Sequence, residues 1–258
     1  MPSQTQAVDQ SEGRARRLRL AIFGGRGLPS TYGGYEAFFL EVAPRLAARG
    51  HEVIVYCRKS FFAERPAYYK GVRLIYLPSV ETKNLGTFTH TLACMYDVLH
   101  RDVDAMLVAN VANAFHCIIP RLFHKPCALN VDGVEWRRGK WGPLGKLYFY
   151  LNARLSGTIL PRGIVTDAYA MRRLYLERFG TPSVCIAYGA NIESSTDPEV
   201  VRQYGLEPNN YYLIASRLVP ENSADMILDG VRRASTKRLL AIAGEANYRS
   251  PFVTRLRQ

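Results

Sequence analysis

LRLAIFGGRGLPSTYGGYEAFFLEVAPRLAAR, residues 18–49, sets an apolar strand, a glycine-rich turn and an amphipathic helix back to back. Glycines let backbone come close to a ligand, and the first turn of a helix offers unpaired N–H groups and a partial positive charge. The order therefore predicts a phosphate or sugar site. Gly33 and Gly34 stand just before the helix, and Glu36 falls in its first turn, where a carboxylate suits the dipole. Phe38, Phe39, Val42, Leu46 and Ala47 lie near one face, Gly50 supplies the stop, and Pro44 should bend the helix. Gly25 and Gly27 are followed by Leu28, Pro29 and Ser30, where a dinucleotide fingerprint needs a third glycine. That spacing argues against a nicotinamide dehydrogenase.

Outward from this stretch, strand-like segments at 18–23, 52–57, 72–77, 105–109, 127–131, 163–166, 183–187, 211–215 and 238–243 alternate with helix-like ones. The helices fall at 35–49, 87–100, 113–123, 144–156, 168–179, 198–204 and 221–234. The alternation predicts an α/β fold, a Rossmann-like doubly wound parallel sheet. A polar stretch at 190–198 reads as a hinge. It separates a domain at 18–190 from one at 191–258, which restarts as strand–helix–strand and makes an incomplete second Rossmann-like domain. Residues 1–17 read as a basic, disordered arm.

The 258 residues are 48% apolar, enough for one large or two modest cores. Lys and Arg number 34 against 22 Asp and Glu, a net +12 that favours anionic partners: nucleotides, phospholipid headgroups or nucleic acid. No recognised nucleic-acid module appears. Arg14, Arg16, Arg17 and Arg19 crowd the approach to the first strand, either as a solvated arm or as an anchor to an acidic membrane surface. Five scattered cysteines without a C-x-x-C pair read as reduced core residues of a cytoplasmic protein, with peripheral contact at the inner membrane face as the arm's option. No apolar run approaches the ~20 residues that span a bilayer, and the polar N-terminus lacks a signal-peptide core.

Asp132 and Glu135 flank a glycine after the fifth strand, at the carboxyl edge where open α/β sheets place ligands. A carboxylate there accepts a hydrogen bond from an acceptor hydroxyl or orients a donor sugar, and Trp136 offers a stacking face. A tight turn is the alternative reading of Asp132-Gly133. Arg137, Arg138 and Lys140 suit a phosphorylated acceptor or a solvated loop. Asn110 and Asn113 line the same edge or cap the next helix. His90 reads as a helix-surface histidine, with a place facing the cleft as the alternative, and His116 and His124 lack metal-ligand spacing.

Three stretches, FGGRGLPSTYGGYEAFFLEVAPRLAARGHEVIVYCR at 23–58, LNVDGVEWRRGKWG at 129–142 and YLIASRLVPEN at 212–222, resemble the family-4 retaining glycosyltransferases of the two-Rossmann-domain (GT-B) type, in the rhamnosyltransferase-like branch. The resemblance implies an N-terminal acceptor domain, a C-terminal domain for a nucleotide-diphosphate sugar, and chemistry in the cleft between them. It implies that Gly33, Gly34 and Arg217 meet the donor diphosphate, with Asn222 where the family usually has lysine, and puts Tyr32, Trp136 and Arg137 on the acceptor side. The implied reaction moves a hexosyl or deoxyhexosyl unit to a glycan or lipid-linked acceptor in polysaccharide biosynthesis, with no cofactor and no metal. Asp102-Val103-Asp104 spells the D-x-D of metal-dependent glycosyltransferases but falls at a helix-to-strand connection on the opposite edge, where a turn is the better reading. The family's E-x7-E element does not occur after Arg217; Glu221 and Asp229 have the spacing but stand on the first helix of that domain. Transfer by these 258 residues alone is therefore expected to fall short of enzymatic rates. The alternatives are a non-catalytic acceptor-binding fragment and a nucleotide-binding module completed by a partner.

Overall fold

A computed structural model describes residues 16–30, 33–82, 85–139, 141–192, 197–244 and 251–256. The chain divides into two units, residues 1–136 with 144–189, and residues 137–143 with 190–258.

The first unit runs β1 (Arg19–Phe23), α1 (Gly34–Ala48), β2 (Glu52–Arg58), β3 (Tyr68–Tyr69), β4 (Val72–Leu77), α2 (Leu85–Leu99), β5 (Ala105–Ala109), α3 (Ile118–Leu122), β6 (Cys127–Val131), α4 (Pro143–Ile159), β7 (Ile164–Thr166), α5 (Tyr169–Phe179) and β8 (Val184–Cys185). The strands form one sheet in the order β3-β4-β2-β1-β5-β6-β7-β8, parallel except for the β3–β4 hairpin. This is the Rossmann-like α/β architecture expected. Ala21, Ile22 and Phe23 of β1 are all buried, as a strand covered on both faces requires. Chain order turns back on itself between β1 and β5, so the crevice at their carboxyl ends is the switch point where such sheets bind ligands.

Right-handed crossovers place α1 on one face and α2 to α5 on the other. α1 continues through Pro44, and Gly50 closes it at φ +90°. Phe39 and Ala43 of α1 bury against Ile22, Val53, Val55 and Val72. Two details differ from the sequence reading. The β3 hairpin turns on Lys70 and Gly71, both at positive φ, in a stretch to which the sequence reading gave no strand. The helix read at 113–123 is a 3-10 segment, Val111–Cys117, followed by the short α3, because Asn110 Oδ1 accepts from Ala112 N and tightens the first turn.

The second unit holds α6 (Glu199–Arg202), β9 (Tyr211–Ala215), α7 (Ala224–Arg233), β10 (Leu239–Ala243) and α8 (Pro251–Leu256). β9 and β10 pair in parallel across the α7 crossover, and Ile214, Leu218, Ala224 and Phe252 form a small core.

Candidate functional site

Close contacts leave no room for a side chain at Gly24 and Gly27 of the glycine turn. Gly24 has φ +104°, and a Cβ there would lie 2.3 Å from the Ala109 carbonyl oxygen at the end of β5. Gly27 has φ +108°, and its Cβ would meet Cys57 Sγ at 2.4 Å. Between them the turn wraps the Glu36 carboxylate, which is buried and accepts from Arg26 N at 2.9 Å. Cβ atoms on Gly25 and Gly33 would approach the Glu36 oxygens to 3.2 and 3.1 Å. The positive end of α1 is thus met by the chain's own carboxylate. Gly33 is the extended N-cap residue, and at exposed Gly34 a Cβ would have only a Tyr188 ring carbon near it, at 3.9 Å. Tyr32 lies outside the described residues.

Next to this turn, Tyr35 donates to Asp132 Oδ1 across 2.5 Å, joining α1 to the loop after β6. Tyr188, just past β8, donates to Asn130 Oδ1 at 2.7 Å and stacks on Phe38 with ring centroids 4.8 Å apart. Burial first, and the Asp132 charge second, push the phenols of Tyr35, Tyr188 and Tyr175 above their ordinary range. The Tyr175 hydroxyl has no hydrogen-bond partner among the described residues. Asp167 directly follows β7, and burial raises its carboxyl. The carboxyl ends of β6, β7 and β8 therefore carry two carboxylates among three protonated phenols.

Glu135 is buried in a 3-10 turn, Glu135–Arg137, that also holds Trp136 and the exposed Arg137. Trp136 is 8% exposed, edge-on to Tyr150 and Phe179, so aromatic packing accounts for its burial. Lys140 lies outside the described residues, and Gly139 N donates to Glu221 Oε1 at 3.0 Å.

Two arginines, Arg26 and Arg58, flank the turn on the β2 side. Arg58, at the end of β2, is 9% exposed; it donates to Thr87 Oγ1 at 2.6 Å and lies 3.7 Å from Glu81. Arg26 sits over the Phe61 ring at 4.4 Å. His90, expected on a helix surface, is instead 1% exposed beneath Arg58, because positions 90, 91, 94, 95 and 98 form the inward face of α2. Burial and the Arg58 charge pull it down to about 4.

Asp102 pairs with Arg19, and Asp104 accepts from Arg19 N at 2.7 Å, at the amino edge of the sheet. Arg16 and Arg17 of the arm also find partners there, Asp104 and Glu52. Asn110 caps the 3-10 segment, and Asn113 Nδ2 donates to the Ala109 carbonyl at 2.7 Å. His116 is buried edge-on to Phe88, while His124 is exposed at a turn with φ 53°. In the second unit Arg217 is exposed just past β9, and the Asn222 amide donates to its carbonyl at 2.7 Å, so Asn222 shapes the loop that presents the guanidinium. Among the described residues no three His, Cys, Asp or Glu side chains gather as a metal site, and no helix is long and apolar enough to cross a membrane.

Tyr35, Tyr188, Asn130, Asp167 and Arg58 were not singled out from sequence. Asp167 was open to the rule that selected Asp132, a carboxylate directly after a parallel strand. The tyrosines were not, because only folding brings α1 and β8 to that carboxylate.

No protein-family model matches the chain, and no curated protein matches it in sequence. Among solved structures it is similar to a glycosyltransferase from Rickettsia africae ESF-5, with 12% identity, a TM-score of 0.51, and 90% of this chain against 69% of that one. It is also similar to CalG4, the calicheamicin glycosyltransferase, at 11% identity and TM-score 0.46, covering 92% and 71% of the two chains. A third is Arabidopsis thaliana UGT89C1 complexed with UDP, at 11% identity and TM-score 0.48, covering 91% and 67%. The likeness to the Rickettsia structure is one of fold, a Rossmann-like α/β sheet.

Proposed function

We propose that the chain acts in glycosyl transfer, with its first unit holding a hydroxyl of a glycan or lipid-linked acceptor. The observation that carries this is the Asp132 carboxylate, fixed by Tyr35 at the carboxyl edge of the sheet beside the glycine turn. A carboxylate so oriented accepts from a sugar hydroxyl, and the phenols around it are themselves sugar hydrogen-bonding groups. Glu135, Trp136 and Arg137 on the following turn, and Tyr32, are assigned to the acceptor side in this reading. Asp167 joins them from β7.

In the same reading the donor is a nucleotide-diphosphate hexose or deoxyhexose, rhamnose among them. Its diphosphate is met by the Arg217 guanidinium, presented by Asn222, and by the N–H groups around Gly33 and Gly34. The acceptor oxygen bonds the anomeric carbon as the carbon–oxygen bond to the diphosphate breaks, and the acceptor's proton passes to the departing phosphate oxygen, so charge develops on the leaving group and fixed cations stabilise it without a metal. Family-4 membership, retention of configuration, a role in polysaccharide biosynthesis and a cytoplasmic site with peripheral contact at the inner membrane face belong to this proposal. Ligand-observed NMR with an oligosaccharide panel tests it: saturation transfer to a glycan that disappears in Asp132→Asn supports it, and a panel without a binder refutes it.

A further inference from the structure

The amino edge of the sheet, opposite the edge that carries Asp132 and the glycine turn, holds a pocket of about 610 Å³. Its lining includes Arg17, His51, Glu52, Ile54, Tyr68 and Arg73. Strand register builds one wall. Ile54 of β2 pairs with Arg73 of β4, and Arg73 pairs with Tyr68 of β3, so the three side chains stand abreast on one face of the sheet. The other face is the one α1 covers, because Val53, Val55 and Val72, the sequence neighbours of Ile54 and Arg73, bury against Phe39 and Ala43. Tyr68 is left 64% exposed, with Arg73 exposed beside it. Gly50 and Gly71, both at positive φ, border the pocket with backbone. A Cβ on Gly50 would meet nothing within 4 Å, so this wall leaves the space open.

Charge and hydrogen bonding select the ligand. Glu52 is the one carboxylate among the described residues of this lining, and Arg17 holds it at 2.8 Å. Arg73 has neither hydrogen bond nor ion pair among the described residues, so its charge is the one left over. Leu18 N donates to His51 Nδ1 at 3.2 Å, which places the proton of the neutral imidazole on Nε2 and leaves Nε2 as a further donor. A guanidinium in that position suits an anion, and the exposed phenol beside it offers a flat face. We infer that this pocket binds a small molecule bearing an anionic group on an aromatic or heterocyclic ring, the anion at Arg73 and His51 and the ring against Tyr68. Nucleoside monophosphates and aromatic carboxylates share that chemistry. The pocket lies at the end of the strands away from the carboxyl-edge crevice, so its ligand is neither donor nor acceptor in the glycosyl-transfer reading, and the site stands independently of that reading.

Calorimetric titration of the full chain with adenosine 5′-monophosphate and with 4-hydroxybenzoate tests the inference and separates the two sources, with inorganic phosphate as the anion alone. Arg73→Gln removes the charge and Tyr68→Ser the ring, both at exposed positions, and circular dichroism checks that each variant is folded. Arg154→Gln, at an exposed arginine of α4, controls for net charge. At least one ring-bearing probe is expected to bind the wild type, about tenfold more weakly in Arg73→Gln and about fivefold more weakly in Tyr68→Ser, with Arg154→Gln unchanged. Failure of both probes to bind the wild type overturns the inference. So does an affinity that Arg73→Gln leaves unchanged, which would put the ligand elsewhere on the chain, or one that Arg154→Gln weakens equally. Inorganic phosphate bound as tightly as the ring-bearing probes would overturn the part given to Tyr68.

Discussion

Tyr35 and Asp132 lie 97 positions apart in sequence and share a 2.5 Å hydrogen bond that ties the first turn of α1 to the loop after β6. Burial and the adjacent carboxylate keep the phenol protonated across ordinary pH, so it remains a donor. Tyr35→Phe keeps the ring and removes the donor. Urea unfolding is expected to show a loss of about 1 to 2 kcal/mol, and glycan titration a several-fold weaker affinity, since Asp132 loses its orientation.

Gly24 and Gly27 combine positive φ with backbone or side-chain atoms inside 2.5 Å of a Cβ position. Gly24→Ala must push apart the ends of β1 and β5, and Gly27→Ala must displace Cys57. Each is expected to cost about 3 kcal/mol or more. Gly50→Ala, at φ +90° but with nothing within 4 Å, is expected to cost about 1 kcal/mol. Thermal melts of the three variants give the ranking directly.

His90 carries a pH dependence. Its folded pKa is pulled down to about 4, below the ordinary histidine value, so the unfolded chain takes up the proton first as pH falls. Stability from keeping this histidine neutral is intact above about pH 6.5 and is lost as pH drops towards about 4, amounting to about 3 kcal/mol. His90→Gln removes the titration. Its unfolding free energy should fall less steeply than the wild type's over that window, whatever its stability at neutral pH.

The sheet was legible in the sequence because each central strand is a short apolar run buried on both faces, bounded by turn residues. Periodicity cannot say which inward position of a helix receives a histidine; α2 turns His90 inward because Phe88, Leu92 and Tyr96 take the outside. That inversion, with large apolar groups outside and a histidine inside, runs against the expectation that polar side chains face water. Asp132 was found from its place after a strand. The phenols around it depend on contacts between α1, β6 and β8, which no local pattern records. The seven residues 137–143 group with the second unit although in sequence they run from the turn after β6 to the first residue of α4, a consequence of tertiary pairing such as that of Gly139 with Glu221.

Arg217→Ala tests the donor side. The side chain is exposed, so its loss should leave the melting temperature unchanged. Calorimetric titration with a nucleoside diphosphate is expected to show affinity about tenfold weaker than in the wild type, as for removal of a guanidinium–phosphate pair. Equal affinity in both proteins would remove Arg217 from the donor site.

The most direct test of the account is saturation-transfer NMR of oligosaccharides on the wild type and on Asp132→Asn, a near-isosteric change that removes one negative charge at the Tyr35 hydrogen bond. The account predicts glycan contact in the wild type and its loss in a folded Asp132→Asn protein. Glycan contact of equal strength in both, or none in the wild type, would contradict it.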